Sequence, residues 1–419
     1  MRTIELAELM SAVKGQAAAI RCVTRLEPAG GPGEKIFPPT YVKDGNSETK
    51  YAFEQRRVGE REVKTVLLDS VASQANRFEE ALLEGWRRKE LDFPVVAVDF
   101  REVDGLKDLD WITALQAPHR IADALLRDSL QDGVPFRHTE AGRAFTDSRP
   151  ANATGMYKHC PTALVFGVWD STGPKGGLGA KFQRALVSEI VGIDAISGVK
   201  TASRIDPAGI EKKAGEVYKH ADPRHEWTTD PDEAAKDPKT KKPVLVGKKG
   251  TPAEVNHGNI PPSIDRESGG VTVSHAVQTT VLSLPALRRL RFVTTSSGEP
   301  IPAEGRDAAE ASARTALAAL ALAALAYQRE NGYDLRSRSL LVPKDPFAIE
   351  IVPRDGGEPS KHELTRPVAA QLLACAETEA RKHGLGWQRG PLLLKPAPKL
   401  AQLIRRSREL QAAGEVVAS

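Results

Sequence analysis

Short stretches in which polar and apolar side chains alternate restrict the fold of this chain more than any other feature. Over residues 17–27, apolar side chains alternate with Arg21 and Arg25, which predicts a half-buried strand. Residues 62–68 and 271–281 are also predicted to be strands. Segments with helical periodicity lie between them, so the pattern predicts a chain built from both strands and helices.

The strand over residues 62–68 leads directly into a predicted helix. Ser70 is its expected N-cap, because a serine hydroxyl can accept one of the unpaired amide protons of the first turn. Ala75, Phe78 and Leu82 then recur at helical spacing and form the face that is expected to be buried.

A long Ala/Leu segment over residues 308–329 predicts a second helix. It is apolar over most of its girth, so we expect it to lie in the core. Further helices are predicted over residues 118–130, 180–191 and 400–412.

Size and composition exclude several classes of protein. The chain has 419 residues, of which 40% are hydrophobic and 27% charged. This is enough for roughly two to three domains and excludes collagen, wholesale disorder and a disulfide-rich miniprotein. The longest apolar run, residues 316–327, is about half of the ~20 residues that cross a bilayer, and no secretory leader is recognisable. A soluble cytosolic protein is therefore expected.

The cysteines and the net charge carry little information. Cys22, Cys160 and Cys375 lie too far apart for a metal-ligand spacing and are expected to be buried thiols, so no metal or cofactor is predicted. Lys and Arg outnumber Asp and Glu by 59 to 55, and a net charge of +4 is too small to indicate an anionic partner.

Residues 206–262 differ in composition from the rest of the chain. They contain eight prolines, nine lysines and ten acidic residues but few large apolar side chains, so they cannot build a core alone. The segment is either a flexible linker or an inserted arm. Near its end, His257 and Asn259 precede Pro261 and Pro262, and they are either turn residues or a hydrogen-bonding pair that contacts RNA.

A glycine-rich turn follows a predicted strand over residues 162–169 and precedes the predicted helix over residues 180–191. Backbone amides at such a junction can bind phosphate. Counted from Gly173, Leu178 stands where a Walker loop needs its second glycine, and Gly179 is followed by Ala180 where the motif needs lysine. Phe182 breaks the dinucleotide fingerprint. ATP hydrolysis and nicotinamide binding therefore lose their main support.

What remains is a loop that a phosphate backbone could approach closely at Gly176 and Gly177. Lys175, Lys181 and Arg184 flank it, so it is either a surface turn or a contact for a polyanion.

No arrangement of residues predicts catalysis. The nine histidines match no zinc spacing and sit in unrelated contexts, so none of them is expected to be catalytic. Basic residues instead recur in small sets, which favours binding a phosphate backbone over transforming a small substrate. The sets are Arg56, Arg57 and Arg61; Arg87, Arg88 and Lys89; His119 and Arg120; and Arg288, Arg289 and Arg291.

Four runs of sequence together resemble the backbone subunit of type I-G (formerly I-U) CRISPR Cascade effector complexes, which belongs to the RAMP superfamily. They are residues 67–79 (LLDSVASQANRFE), 169–181, 257–263, and 269–292 with its QTTVLSL core, in this order. The resemblance extends from residue 17 to about residue 330.

The resemblance implies an α+β fold with a modified RRM-like (ferredoxin-like) palm that has an antiparallel sheet, helical insertions and a thumb-like arm. The classical RRM aromatic signature is absent, so base stacking on the sheet is not expected. The implied parts are a first palm segment (1–85), a helical finger-like insertion (86–159), a palm segment with the glycine-rich loop (160–205), the thumb-like arm (206–262) and a second palm segment with C-terminal helices (263–419).

The implied function is non-catalytic: copies of the chain bind along a CRISPR guide RNA in a cytoplasmic antiviral complex. Its partners would be the guide, the target DNA strand paired to it, further copies of itself and other Cascade subunits, with no membrane. The alternative is an endoribonuclease of the same superfamily that uses an acid of the arm, such as Asp230, Asp232 or Asp237. A nucleotide-binding enzyme at the glycine-rich loop is a third hypothesis, which the failed motif spacings disfavour.

The resemblance also implies which residues contact RNA. Ser70, Ser73, Asn76 and Arg77 would meet phosphates or sugars at the positive end of their helix, whereas Gln74 could point either way. No catalytic or metal-ligating residue is expected. The remaining expected RNA contacts are His119, Arg120, Lys175, Gly176, Gly177, Lys181, Arg184, His257, Asn259, Arg288 and Arg289.

Overall fold

The computed structural model describes residues 1–43, 45, 47–171, 180–211 and 213–412. The chain divides into two compact units. Unit 1 comprises residues 1–39, 52–195 and 272–403, and unit 2 comprises residues 40–51, 196–271 and 404–419.

The strands and helices of the described residues confirm an α+β chain. The strands are β1 (Arg2–Thr3), β2 (Ala17–Pro28), β3 (Phe53–Val58), β4 (Arg61–Asp69), β5 (Val96–Asp99), β6 (Trp111–Thr113), β7 (Ser129–Gln131), β8 (Val134–Pro135), β9 (Val168–Trp169), β10 (Lys181–Phe182), β11 (Leu186–Ile193), β12 (Ile196–Ser197), β13 (Lys200–Arg204), β14 (Tyr218–Lys219), β15 (Trp227–Thr228), β16 (Ile260–Asp265), β17 (Val271–Thr272), β18 (His275–Ser283), β19 (Tyr333–Asp334), β20 (Leu340–Pro343), β21 (Ala348–Pro353), β22 (Ser360–Glu363) and β23 (Leu392–Pro396). The α-helices are α1 (Leu6–Ser11), α2 (Val71–Arg87), α3 (Ala124–Arg127), α4 (Glu140–Thr146), α5 (Thr154–His159), α6 (Pro161–Phe166), α7 (Leu284–Arg288), α8 (Ala303–Asn331), α9 (Arg366–Lys382) and α10 (Pro398–Ala412).

The largest sheet belongs to unit 1, and its central strands are antiparallel. The order is β1-β22-β21-β2-β18-β11-β4-β3, and β20 adds to β2 and β19 to β20. The strands predicted over residues 17–27, 62–68 and 271–281 are confirmed as β2, β4 and the pair β17 and β18. In β18, Gln278, Thr280 and Leu282 face the buried side, as the period of two requires.

Helices α2, α8 and α9 pack together in unit 1. The Ser70 hydroxyl accepts the Ser73 amide at the start of α2, which confirms the predicted cap. Helix α8 is long and apolar enough to cross a membrane by length and composition alone, yet 89% of its most apolar window is buried inside the protein. The prediction of a core helix at this position is therefore confirmed.

Several local predictions are wrong. Residues 162–169 are mostly helix α6, and residues 180–191 are strands β10 and β11, because β11 alternates buried Leu186 and Ser188 with exposed Val187 and pairs with two neighbouring strands. The expected helix over residues 118–130 breaks into a 3-10 turn, α3 and β7. Arg120 has a φ of +53°, which no continuous right-handed helix accepts.

The cysteine prediction holds at two positions of three. Cys22 and Cys160 are buried, and burial raises the pKa of both thiols. Cys375 is exposed on α9, so the prediction is wrong there, because it lies on the outer face of an amphipathic helix.

Unit 2 holds short strands and turns with few large buried side chains. Within it β13 pairs with β16 and β14 with β15, both antiparallel. Backbone hydrogen bonds join Ala235 to Lys219 (2.7 Å) and Val246 to Val217 (2.9 Å), so the lysine- and proline-rich segment has a defined chain path without a large core.

Candidate nucleic-acid interface

A small hairpin in unit 1 carries the residues on either side of the glycine-rich turn. Strands β9 and β10 pair so that Trp169 lies opposite Lys181. The Asp170 amide donates to the Ala180 carbonyl (2.9 Å), and the Asp170 carboxylate forms an ion pair with Arg137 (2.8 Å). A strand, and not a helix, therefore follows residues 172–179 in the chain, and the predicted strand–turn–helix junction for phosphate is wrong at this position.

Beside this hairpin lies a cleft of about 520 Å³, which we call the basic cleft. It brings together four of the predicted RNA contacts, which are far apart in the sequence. They are Arg120, Lys181, Arg184 and Arg289. Its volume falls in the range of sites that hold a small molecule or one nucleotide.

Trp169 forms the aromatic part of the basic cleft. Its side chain is 56% exposed, although tryptophan usually lies largely buried. The Lys181 ammonium lies 5.3 Å from the centroid of its ring. An exposed indole beside lysine and arginine offers a surface on which a base can stack next to charges that can hold its phosphate.

Arg120 forms the inner wall of the basic cleft and is 9% exposed. Its guanidinium makes a bidentate ion pair with Glu79 on α2, at 2.7 and 2.8 Å, and donates to the Gly167 carbonyl at 3.3 Å. Burial raises the pKa of Glu79 to about 7, in opposition to the Arg120 charge, which lowers it. Most of the hydrogen-bonding capacity of Arg120 is thus directed into the protein.

Arg184 and Arg289 leave more of their charge available to a ligand. Within the described ranges, neither forms an ion pair with a carboxylate; Arg289 donates to Gln183 at 3.0 Å. Burial and the nearby Arg120 charge lower the pKa of Arg184, as expected of a cation that would gain from an anionic partner. Gly167, with φ at +81°, permits the close approach of Arg184, since a Cβ there would lie 2.9 Å from Arg184 Cγ.

The predicted contacts on α2 are mostly committed to internal bonds. Ser73 donates to Asp69 (2.7 Å), and Arg77 donates to the same buried carboxylate (2.9 Å) and to the Leu335 carbonyl (2.6 Å). Asn76 is exposed. The structure thus gives Arg77 a role in fixing α2 to the strand before it.

Gln74 is fully buried, which answers the question of where it points. Its amide donates to Asp69 at 2.6 Å and accepts from Ser188 and Gln278 at 2.9 and 2.8 Å. Gln278 in turn bonds to Tyr333. This buried polar network joins α2 to four strands, β4, β11, β18 and β19, and it fixes the register of the elements behind the sheet.

The other predicted contacts lie outside the basic cleft. Arg288 donates to the carbonyls of Val13 and Ala17, at 3.3 and 3.0 Å, and so holds the chain before β2. His119 is exposed beside Arg120 in sequence but does not line the cleft. Lys175, Gly176 and Gly177 fall outside the described residues.

In unit 2, the loop that contains His257 and Asn259 is closed by hydrogen bonds. The Asn259 side chain accepts from the Asp206 amide (2.7 Å), and Asp206 accepts from the Gly258 amide (2.7 Å). Hydrogen bonds from backbone amides, first of all that of Gly258, lower the pKa of the Asp206 carboxylate. Asn259 is thus a turn residue, whereas the His257 ring is half-exposed and lies edge-on to Trp227.

The sequence analysis did not single out Trp169 as a candidate site residue. This tryptophan precedes the glycine-rich turn, near Lys175 and Lys181, and the chain has only five tryptophans. An aromatic residue beside glycines and lysines was the available signal for a stacking surface. Among the described residues, no group of three or more His, Cys, Asp or Glu side chains could hold a metal ion.

Comparison with known proteins gives one family. No curated protein matches the chain. Residues 20–197 match the family model described as CRISPR-associated protein GSU0053. This segment contains β2, α2, β11 and, of the basic cleft, Arg120, Trp169, Lys181 and Arg184. Over residues 20–197, the chain is thus similar to the CRISPR-associated protein GSU0053 family.

Proposed function

We propose that this protein is a non-catalytic subunit that binds CRISPR guide RNA and repeats along it in a type I Cascade complex. The match of residues 20–197 to a CRISPR-associated family supports a role in CRISPR defence. The observation that carries the finer proposal is the convergence of Lys181, Arg184 and Arg289 beside the exposed ring of Trp169.

Single-stranded nucleic acid is the ligand that best fits these groups. Unpaired cations attract the phosphate backbone, and an exposed aromatic ring stacks on bases with little sequence preference. A guide carries a different spacer in every complex, so its scaffold has to bind without reading sequence, and pairing with the target supplies specificity. On the same proposal, the antiparallel sheet of unit 1 corresponds to an RRM-like palm and unit 2 to a thumb-like arm.

Charge removal in the basic cleft tests this proposal. In the variant Lys181→Gln/Arg184→Gln/Arg289→Gln, three cations are removed while the buried Arg120 stays in place. The control Lys14→Gln/Arg87→Gln/Lys89→Gln removes the same charge from exposed positions of unit 1 outside the cleft. Fluorescence anisotropy with a labelled guide RNA at several salt concentrations measures both affinity and its salt dependence.

We expect the cleft variant to bind RNA more weakly than the control. Its slope of log affinity against log salt should fall by roughly 0.7 for each phosphate that the protein no longer neutralises. Equal affinities for the two variants, or no RNA binding by the unmodified protein at low salt, would contradict the proposal.

A cleavage assay with the unmodified protein distinguishes a ribonuclease from a non-catalytic subunit. Repeat RNA and guide-paired target RNA are incubated with Mg²⁺ and with chelator, and intact RNA is expected throughout. Cleavage that a single substitution such as Asp230→Asn abolishes would contradict the non-catalytic proposal.

A further inference from the structure

A lysine-rich loop in unit 2 lies outside every site described above. We define it as residues 236–249, which hold six lysines and one acidic residue, Asp237. All six lysines are exposed. Throughout the described chain, no carboxylate forms an ion pair with any of their ammonium groups. The six lysines are Lys236, Lys239, Lys241, Lys242, Lys248 and Lys249.

The nearby acids bind backbone amides of the loop. The Asp237 carboxylate accepts from the amides of Lys239 (2.9 Å) and Thr240 (2.7 Å), which lower its pKa. The Glu254 carboxylate accepts from the amides of Lys248 (3.0 Å) and Gly250 (2.8 Å). These acids therefore fold the two turns and leave the ammonium groups without a paired carboxylate.

Hydrogen bonds within unit 2 fix the base of the loop. The Lys219 amide donates to Val244 (2.8 Å), the Val244 amide donates to Ala235 (2.8 Å), and the Asp237 amide donates to Lys242 (2.9 Å). Lys241 takes a φ of +58° at the turn, so consecutive lysines project from a tight tip. The positive charge of the loop is therefore concentrated on a surface whose backbone is held by hydrogen bonds.

The composition of the loop indicates which polyanion fits it. Residues 236–249 contain no aromatic residue and no arginine, so the loop offers mobile point charges with no ring on which an unpaired base could stack. Single strands are usually held by charge together with aromatic stacking, as at the basic cleft. A duplex keeps its bases paired and presents phosphates outward, so charge alone is sufficient.

We infer that the lysine-rich loop binds the phosphate backbone of double-stranded DNA, at a site separate from the basic cleft. The inference rests on the proposed function, because a guide-carrying subunit meets duplex DNA before the target strand pairs with the guide. The contact is independent of sequence and contributes affinity through counterion release.

A charge-matched pair of triple variants of the full chain tests the inference. Lys239→Gln/Lys241→Gln/Lys242→Gln removes three cations from the tip of the loop. Lys14→Gln/Lys89→Gln/Lys213→Gln removes three exposed lysines elsewhere. Binding of labelled duplex DNA, single-stranded DNA and guide RNA is measured for each over a range of salt concentrations, with circular dichroism as the check that each variant folds.

For duplex DNA, we expect the loop variant to bind more weakly and its salt slope to fall by up to about 2.7, at roughly 0.9 per lysine, relative to the control. Guide RNA binding is expected to match that of the control. Equal duplex affinity and slope in the two variants would overturn the inference, and so would an equal loss for duplex and single strands. Absence of guide binding by the unmodified protein would instead refute the proposed function, so the two failures are distinguishable.

Discussion

Arg120 and Glu79 form a buried bidentate ion pair between the inner wall of the basic cleft and helix α2, with N–O distances of 2.7 and 2.8 Å. Their side chains are 10% and 2% exposed. Since Arg120 also donates to the Gly167 carbonyl, this pair connects α2 to the segment before the β9 hairpin. The pair therefore positions the cleft more than it offers charge to a ligand.

Removal of one partner should destabilise the fold strongly. Arg120→Met leaves Glu79 buried without its cation, and we expect the free energy of unfolding to fall by about 3 to 5 kcal/mol. The double variant Arg120→Met/Glu79→Leu should recover most of this loss, because no buried charge is then left unpaired. Urea denaturation measures both, and a loss below about 1 kcal/mol for the single variant would show that the pair is not buried in solution.

Trp169 should contribute to binding and little to stability. Because its ring is largely exposed, Trp169→Ala is expected to leave the urea midpoint nearly unchanged but to weaken guide RNA binding by about 1 to 3 kcal/mol. Trp169→Phe keeps a ring for stacking and should retain most of the affinity. If the alanine and phenylalanine variants bind RNA equally, the ring does not stack on a base.

Gly167 should tolerate no side chain. Alanine there requires a positive φ and places its Cβ 2.9 Å from Arg184 Cγ, so both strain and a clash are expected. Gly31→Ala is the matched control, since Gly31 has φ at +90° but no neighbouring atom within 4 Å of an added Cβ. We expect Gly167→Ala to lose about 1 kcal/mol or more beyond Gly31→Ala in urea denaturation and to bind RNA more weakly. Equal losses would mean that Arg184 moves aside freely.

His159 should make stability depend on pH. Burial lowers its pKa below the ordinary value of 6.5, and the charge of Lys158 lowers it further. The hydrogen bond to Gln388 raises this pKa but does not offset the other two effects. The unfolded chain therefore takes up a proton at a pH where the folded chain does not. This contribution is complete above the unfolded pKa and is lost as pH falls through the folded pKa.

The variant His159→Gln isolates that contribution. Between about pH 7.5 and pH 5.5, the free energy of unfolding of the unmodified protein should fall more than that of the variant. Urea denaturation across this range provides the measurement. Parallel pH profiles for the two proteins would show that His159 is solvated in the fold.

The sequence by itself determined those strands and helices whose pattern of polar and apolar side chains is visible within a few neighbouring residues. The period of two in β2 and β18, the Ser70 cap of α2 and the uniform Ala/Leu composition of α8 each specify a structure through neighbouring residues alone. The same local reasoning located the small sets of lysines and arginines, because a high density of cations is visible in the sequence, but it did not show which of them are paired.

Only the tertiary structure decided which cations act together and which are committed to internal bonds. Residues 180–191 became strands because β11 finds partners on both sides, a pairing with β4 and β18 that no local window contains. Arg77 and Arg120 read in sequence as free charges, yet each pairs with a buried carboxylate. Such pairing depends on burial at positions that only the folded chain brings together. Burial therefore distinguishes a cation that is paired within the protein from one that stays available to a ligand.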